Sequence, residues 1–280
     1  MNSMTLKIRF IRTCILLAVT ILAFTTWNAA ANESADGVDA AILSARFYDE
    51  VDRRLELPES ELLIYAKLLH VALNSAGLET LTPQLVVLVD RSPLVQAAMV
   101  LWKTDDGSLY LIGTSPVSTG RPGSYEYFET PIGVFRHSVG NPDFRAKGDR
   151  NSNGILGYGP KGTRVFDFGW QLGTRTWDRK GASLMRLQMH STDTDLLEPR
   201  VGTPQSKGCI RIPLSLNHFI DHYSILDADY EIASHAGQVI GVWSRDRQSA
   251  RGPGRYLIVV DSERTAKPDW VAPSNAARIP

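Results

Sequence analysis

The chain has 280 residues, 43% of them hydrophobic, with 30 Lys and Arg against 30 Asp and Glu. That apolar share is enough for a sizeable core, and the balanced charge gives no sign of the basic surface that a nucleic-acid partner requires. Two cysteines, Cys14 and Cys209, are too few for a disulfide-stapled fold.

Lys7, Arg9 and Arg12 precede an apolar run at 14–27, and Ala29-Ala30-Ala31 follows it. This order predicts an export signal over 1–31, because the run falls short of the about 20 apolar residues of a membrane span. Cleavage after Ala31 leaves an exported chain, periplasmic or bound to the cell envelope, with 27 basic and 30 acidic residues and Cys209 as its only thiol. In an oxidising compartment such a thiol is buried and inert, paired between chains, or reactive.

Residues 32–82 read as helical. Ser60 is placed to cap a helix in which Leu62, Tyr65, Ala66, Leu69, Leu73 and Ala76 recur at helical spacing, and Gly77 stops it. An earlier helix is expected over Ala40 to Leu55. From 85 the chain turns to short β-rich runs at 85–89, 95–102 and 108–113, with Asp105-Asp106-Gly107 as a hairpin turn. Residues 141–173 carry seven glycines and read as a long loop facing a substrate. Strands are expected again at 184–190, 238–243 and 255–261, and a loose tail from about Ser262. The resulting class is mainly β with a short helical N-terminal segment, α+β overall. Its divisions are 1–31 signal, 32–82 helices, 83–245 catalytic domain, and 246–280 final strand and tail.

A cysteine becomes a nucleophile when a neighbour, usually an imidazole, stabilises its thiolate. In LMRLQMH (184–190), period-two alternation puts Arg186, Gln188 and His190 on one face, with His190 at the strand's end. Fifteen residues separate His190 from SKGCIRIP (206–213), where Gly208 permits close backbone approach and the surrounding N–H groups could form an oxyanion hole. An imidazole partner is expected to lower the pKa of Cys209 and make it quick to alkylate.

The pairing of MHST with SKGCIRIP resembles the signature of the L,D-transpeptidase catalytic domain (YkuD) family, a His followed at this distance by Ser/Thr-His-Gly-Cys, an apolar residue and Arg. VVLVDRSP (86–93), PVSTGRPG (116–123) and TPIGVF (130–135) resemble that family's earlier landmarks, in order, so that the likeness spans about Leu85 to Trp243. The resemblance implies a mostly β, sandwich-like domain that acts on peptidoglycan stem peptides and needs no cofactor. It implies Cys209 as nucleophile and His190 as proton acceptor and donor, with the Ser191 carbonyl orienting the ring. Backbone N–H groups of Lys207, Gly208 and Cys209 would face the oxyanion, Ser206 would contact substrate, and Arg211 would position the loop or a substrate carboxylate. Lys207 stands where the family usually has His, and Ser191 where it more often has Gly.

By that likeness the reaction is acyl transfer: a thioester with a tetrapeptide stem, release of D-alanine, and a 3→3 cross-link to a second stem. Water as acceptor would make an L,D-carboxypeptidase or a hydrolase that detaches a protein from the wall, and a protein amine as acceptor an enzyme that attaches one. A non-catalytic wall-binding module with an inert thiol is the alternative from another class. No metal is expected. The D-x-N-x-N-G run at 149–154 lacks the terminal Glu of a calcium loop, and His218 and His222 flank the apolar stripe of a helix starting near Pro213. Trp102, Trp170, Trp177 and Trp243 read as core or groove aromatics.

Overall fold

Strand β1, Gln84–Asp90, has all seven residues buried. Alternation sends Leu85, Val87 and Val89 into one apolar cluster, and Val86 and Leu88 into another on the opposite face. Cover on both faces is why this run is continuously apolar. The computed structural model describes residues 39–175, 177 and 181–271. The expected signal at 1–31, with Cys14, lies outside them.

Around β1 stand β2 (Ala97–Lys103), β3 (Leu109–Pro116), β5 (Gly133–Arg136) and β10 (Tyr256–Val260), in the order β3-β2-β1-β10-β5. In this sheet, among the described residues, only the β1–β10 pairing is parallel. Gly107, at φ +83°, makes the predicted β2–β3 turn. A second sheet has the order β4-β7-β8-β9, formed by Phe128–Glu129, Arg164–Arg175, Ala182–His190 and Ile210–Arg211, with β6 (Phe144–Arg145) also on β7. Among the described residues, these ten strands and four α-helices make a mainly β, two-sheet fold.

The core between the sheets joins Val87 and Val89 to Phe166, Leu187, Met189 and Ile210. Leu43 and Phe47 of α1 (Ala40–Glu50) and Leu216 and Phe219 of α3 (Leu214–His222) belong to the same core. Each such side chain contributes roughly 1.5–3 kcal/mol by leaving water. On the other face of the first sheet, α2 (Glu59–Ser75) buries Tyr65, Leu69 and Leu73. The fourth helix, α4, is Ala228–His235.

Several expectations are corrected. Helix α2 starts at Glu59 behind Pro58, which has extended backbone and makes no side-chain cap; Ser60 already lies inside the first turn. The first helix ends at Glu50 and not near Leu55. The run 238–243 is not a strand: Val239 is exposed, the Val242 carbonyl accepts from Arg145, and Trp243 donates to Asp227. The segment expected to be one long loop contains β6 and most of β7. Gly169, at φ +78°, sits in a bulge of β7, and a Cβ on Gly173 would press on Met185. Those two glycines therefore mark strand irregularity and close approach, not loop. The tail expected to be loose is packed as far as Val271, with Trp270 edge-on to Tyr65.

The remaining glycine-rich loop, 146–163, is pinned at both feet by buried charge. Arg164, wholly buried, pairs with Asp143 at 2.7 Å, Asp227 at 2.7 Å and Asp221 at 3.3 Å. Arg145 also pairs with Asp221. His137 directs Nε2 to Asp143 and Nδ1 to the Leu226 carbonyl, both at 2.9 Å. Burial opposes a charge on this ring, but Asp143 outweighs it and the pKa rises.

Candidate active site

The outer face of the second sheet collects the polar residues of three strands. In β8, Met185, Leu187 and Met189 enter the core, which leaves Arg186, Gln188 and His190 on the opposite face. The parallel neighbour β9 pairs Ile210 with Met189 and Arg211 with His190. Continued by one residue, that register brings Cys209 alongside Gln188. The thiol contacts the Arg186 carbonyl at 3.7 Å. Two segments far apart in sequence are thus joined by one short parallel pairing.

His190 is 4% exposed, and its Nδ1 lies 2.5 Å from the Ser191 carbonyl. A carbonyl only accepts, so Nδ1 carries the proton and Nε2 is left as the basic nitrogen. Tyr158, from the glycine-rich loop, sets its ring edge-on to the imidazole at 4.8 Å and donates to Gln188 Oε1 at 3.0 Å. Gln188 in turn donates to Asp167 at 2.8 Å, and Arg186 pairs with Asp167 at 2.9 Å.

Burial lowers the pKa of His190 to about 4; the Ser191 hydrogen bond acts the other way, and the Arg211 charge adds to the lowering. Burial also pushes the Cys209 thiol above its ordinary value, against a backbone hydrogen bond at Gln188 and the charge of Arg211. This reverses the expectation of a depressed thiol pKa. Loss of solvent disfavours both charged forms, so at neutral pH the pair rests as thiol and neutral imidazole.

The loop before the cysteine is closed from two sides. Ser206 Oγ donates to the Cys209 carbonyl at 2.5 Å and accepts from Gly208 N–H at 3.0 Å. Thr130 Oγ1 donates to the Gly208 carbonyl at 2.7 Å and accepts from Gly120 N–H at 2.9 Å. A Cβ on Gly120 would fall 1.9 Å from the Phe128 carbonyl, so that position demands glycine. The Ser-Thr-Gly and Thr-Pro-x-Gly segments are therefore the walls of the cysteine loop. Gly208 itself sits at φ +126°.

Two expected roles change here. Ser206 is 1% exposed and engaged within the loop, so it is a staple and not a substrate contact. The Gly208 N–H is taken by Ser206, which removes it from the expected oxyanion donors in this conformation. Arg211 is half-buried; its guanidinium donates to the Gln205 carbonyl at 3.4 Å and holds the start of the loop.

Residues 85–222 match the family model described as the L,D-transpeptidase catalytic domain, YkuD. This part of the chain is a YkuD domain. The crystal structure of the helical cell shape determining protein Pgp2 from Campylobacter jejuni is similar at 15% identity, over 65% of this chain and 49% of that one, with a TM-score of 0.29. A mutant of the same Pgp2 is 13% identical, over 80% and 55%, also at 0.29. The chain thus spans about half the length of those solved proteins. No curated protein matches it.

Both departures from the family pattern are accommodated in this YkuD domain. Lys207 points outward to Glu126 at 3.3 Å and stands 5.7 Å from the Tyr127 ring, while its carbonyl accepts from Phe128 N–H. Ser191 turns its hydroxyl to the Tyr158 carbonyl and Thr163, both at 3.2 Å. Gly159 makes room for it, since a Cβ there would lie 2.1 Å from Ser191 Oγ. Tyr158 itself gave no signal in the sequence, because only the loop's closure sets it on His190.

Among the described residues no group of three or more His, Cys, Asp or Glu is placed to hold a metal. His218 is exposed and His222 stands 3.9 Å from Asp246. Asn151 accepts from the N–H groups of Asn153 and Ile155, so the D-x-N-x-N-G run closes on itself as a turn. Among the described residues no helix is long and apolar enough to cross a membrane.

Proposed function

We propose that this YkuD domain is a peptidoglycan L,D-transpeptidase working in the cell envelope, with Cys209 as nucleophile and His190 as its base. The observation that carries the reading is a thiol beside β9 on the same sheet face as an imidazole of β8 whose Nδ1 is committed to Ser191. A neutral imidazole can take the proton of a neutral thiol as attack begins, so no resting thiolate is needed.

Cys209 sulfur adds to the carbonyl of the third residue of a tetrapeptide stem, and its proton passes to His190 Nε2. The tetrahedral oxyanion is met by the backbone N–H groups of Lys207 and Cys209. One such donor is worth about 10²–10³ in rate. As the intermediate collapses, the C–N bond breaks and D-alanine leaves with the proton from His190. The side-chain amine of a second stem then attacks the thioester, gives its proton to His190, and frees the thiol as a 3→3 cross-link forms. Arg211, as a rigid bidentate donor near both groups, is suited to a stem carboxylate.

Intact-mass spectrometry of the exported protein with disaccharide-tetrapeptide, beside Cys209→Ala, tests this. A transient adduct on the unsubstituted protein alone, with D-alanine release and a growing 3→3 dimer, is expected. An adduct that resolves only to tripeptide would move the reading to an L,D-carboxypeptidase. An adduct passed only to a wall-attached protein would move it to an attachment enzyme. No adduct from a folded protein would leave a wall-binding module and sink the proposal.

A further inference from the structure

Past the thiol, the outer face of the β7–β8 hairpin continues as an exposed apolar strip that the chemistry of Cys209 and His190 does not use. Across it Asp167 pairs with Gln188, Trp170 with Arg186, and Leu172 with Leu184. The bulge at Gly169 adds one residue, so Asp167 and Trp170 share a face although three positions apart. Trp170, Leu172 and Leu184 are 60%, 67% and 61% exposed. Arg186 lies 5.9 Å from the Trp170 ring and is itself fixed by Asp167 at 2.9 Å, so the indole stands on a braced support.

We propose that this strip seats the glycan end of the acyl donor, with a sugar ring laid on Trp170 and its apolar substituents on Leu172 and Leu184. The proposal rests on the acyl-transfer reading given above and names the part of the substrate that this surface selects. Spacing supports it. Cys209 lies beside Gln188, and Arg186 and Leu184 are two and four residues further along β8. At about 3.4 Å per residue, the strip occupies roughly 7 to 14 Å from the level of the thiol. With the third stem residue's carbonyl at the sulfur, that residue and the two before it lie between the sulfur and the link to the sugar. At up to about 3.5 Å per residue, the stem reaches roughly 10 Å, within the span of the strip.

The chemistry also fits. Stem carboxylates would find no partner on Leu172 and Leu184, whereas the C–H faces of a sugar and its N-acetyl methyl group pack against a flat, fixed aromatic. An exposed aromatic face flanked by apolar side chains supplies large contact area for such a ring.

The test compares kcat/KM for D-alanine release from disaccharide-tetrapeptide and from the free tetrapeptide, in the unsubstituted protein, Trp170→Ala and Leu172→Ser. The ratio of glycan-bearing to glycan-free activity is expected to fall about tenfold in Trp170→Ala, a loss of roughly 1.4 kcal/mol. An unchanged ratio in both variants would overturn the proposal. Calorimetric binding of the same two compounds to Cys209→Ala, with and without Trp170→Ala, separates this from the reaction itself. If no D-alanine is released but the glycan-bearing compound binds through Trp170, the transpeptidase reading falls and the glycan seat stands. If binding ignores Trp170, the seat falls. Sedimentation of Trp170→Ala completes the set: a dimer lost on substitution, with the ratio unchanged, would give the strip to a second copy of this chain and overturn the assignment.

Discussion

Acid should weaken this protein partly through His190, and the size of the effect follows from where the ring sits. It is 4% exposed, and burial, ahead of the opposing Ser191 hydrogen bond and the added push of Arg211, lowers its pKa from 6.5 to about 4. Between those values the unfolded chain binds a proton that the folded chain refuses. The contribution is therefore intact above pH 6.5 and is lost as pH falls toward 4. A lowering from 6.5 to about 4 is worth about 3 kcal/mol in full, most of which is gone by about pH 4.5. Urea unfolding at about pH 7.5 and about pH 4.5 should show the unsubstituted protein losing about 2–3 kcal/mol more than His190→Gln does. Groups present in both proteins cancel in that comparison. They include Asp143, whose pKa is lowered, and His137, whose pKa is raised. Equal losses, within about 0.5 kcal/mol, would refute the argument that His190 rests buried and neutral. If the proposed reaction holds, the same burial should place the acid limb of its rate profile near the low pKa of His190, well below that of a free imidazole.

Two further substitutions probe the frame of the site. Arg164→Met leaves Asp143, Asp221 and Asp227 short of their shared buried cation and should cost about 3–5 kcal/mol in denaturant unfolding; a cost under about 1 kcal/mol would mean that the cluster does not hold the feet of the 146–163 loop. Gly208→Ala meets Met185 Cε at 2.8 Å, which can yield, and a backbone at φ +126°, which cannot. Stability should fall by about 1–3 kcal/mol and acyl transfer by much more, because Cys209 is the next residue; D-alanine release at the unsubstituted rate would contradict this.

How much of the molecule was legible depended on whether the signal was local. The face of β8 that carries Arg186, Gln188 and His190 was readable from alternation, since period two is a property of the strand itself. Likewise α2 showed its buried stripe of Tyr65, Leu69 and Leu73. Local reading failed where a glycine had two meanings. Gly169 and Gly173 looked like loop, and only the pairing of β7 with β8 shows a bulge and a close approach to Met185. It failed at 238–243 because a short apolar run does not say whether a strand edge is waiting for it. Trp270 was passed over in a polar tail, although Tyr65 and the second apolar cluster supply its contacts.

By itself the sequence determined the mainly β class and the stretch that carries the family's landmarks, and it singled out Cys209 and His190 as the candidate pair, because motif order and strand period are written in the chain. Tertiary structure alone decided their surroundings. The sign of both pKa shifts comes from burial between β8, β9 and the loop bearing Tyr158, and no residue spacing encodes solvent exclusion. It also turned Ser206 from a substrate contact into a staple and sent Lys207 outward to Glu126. Those outcomes depend on which distant segments pack against the loop, and packing is a property of the whole fold.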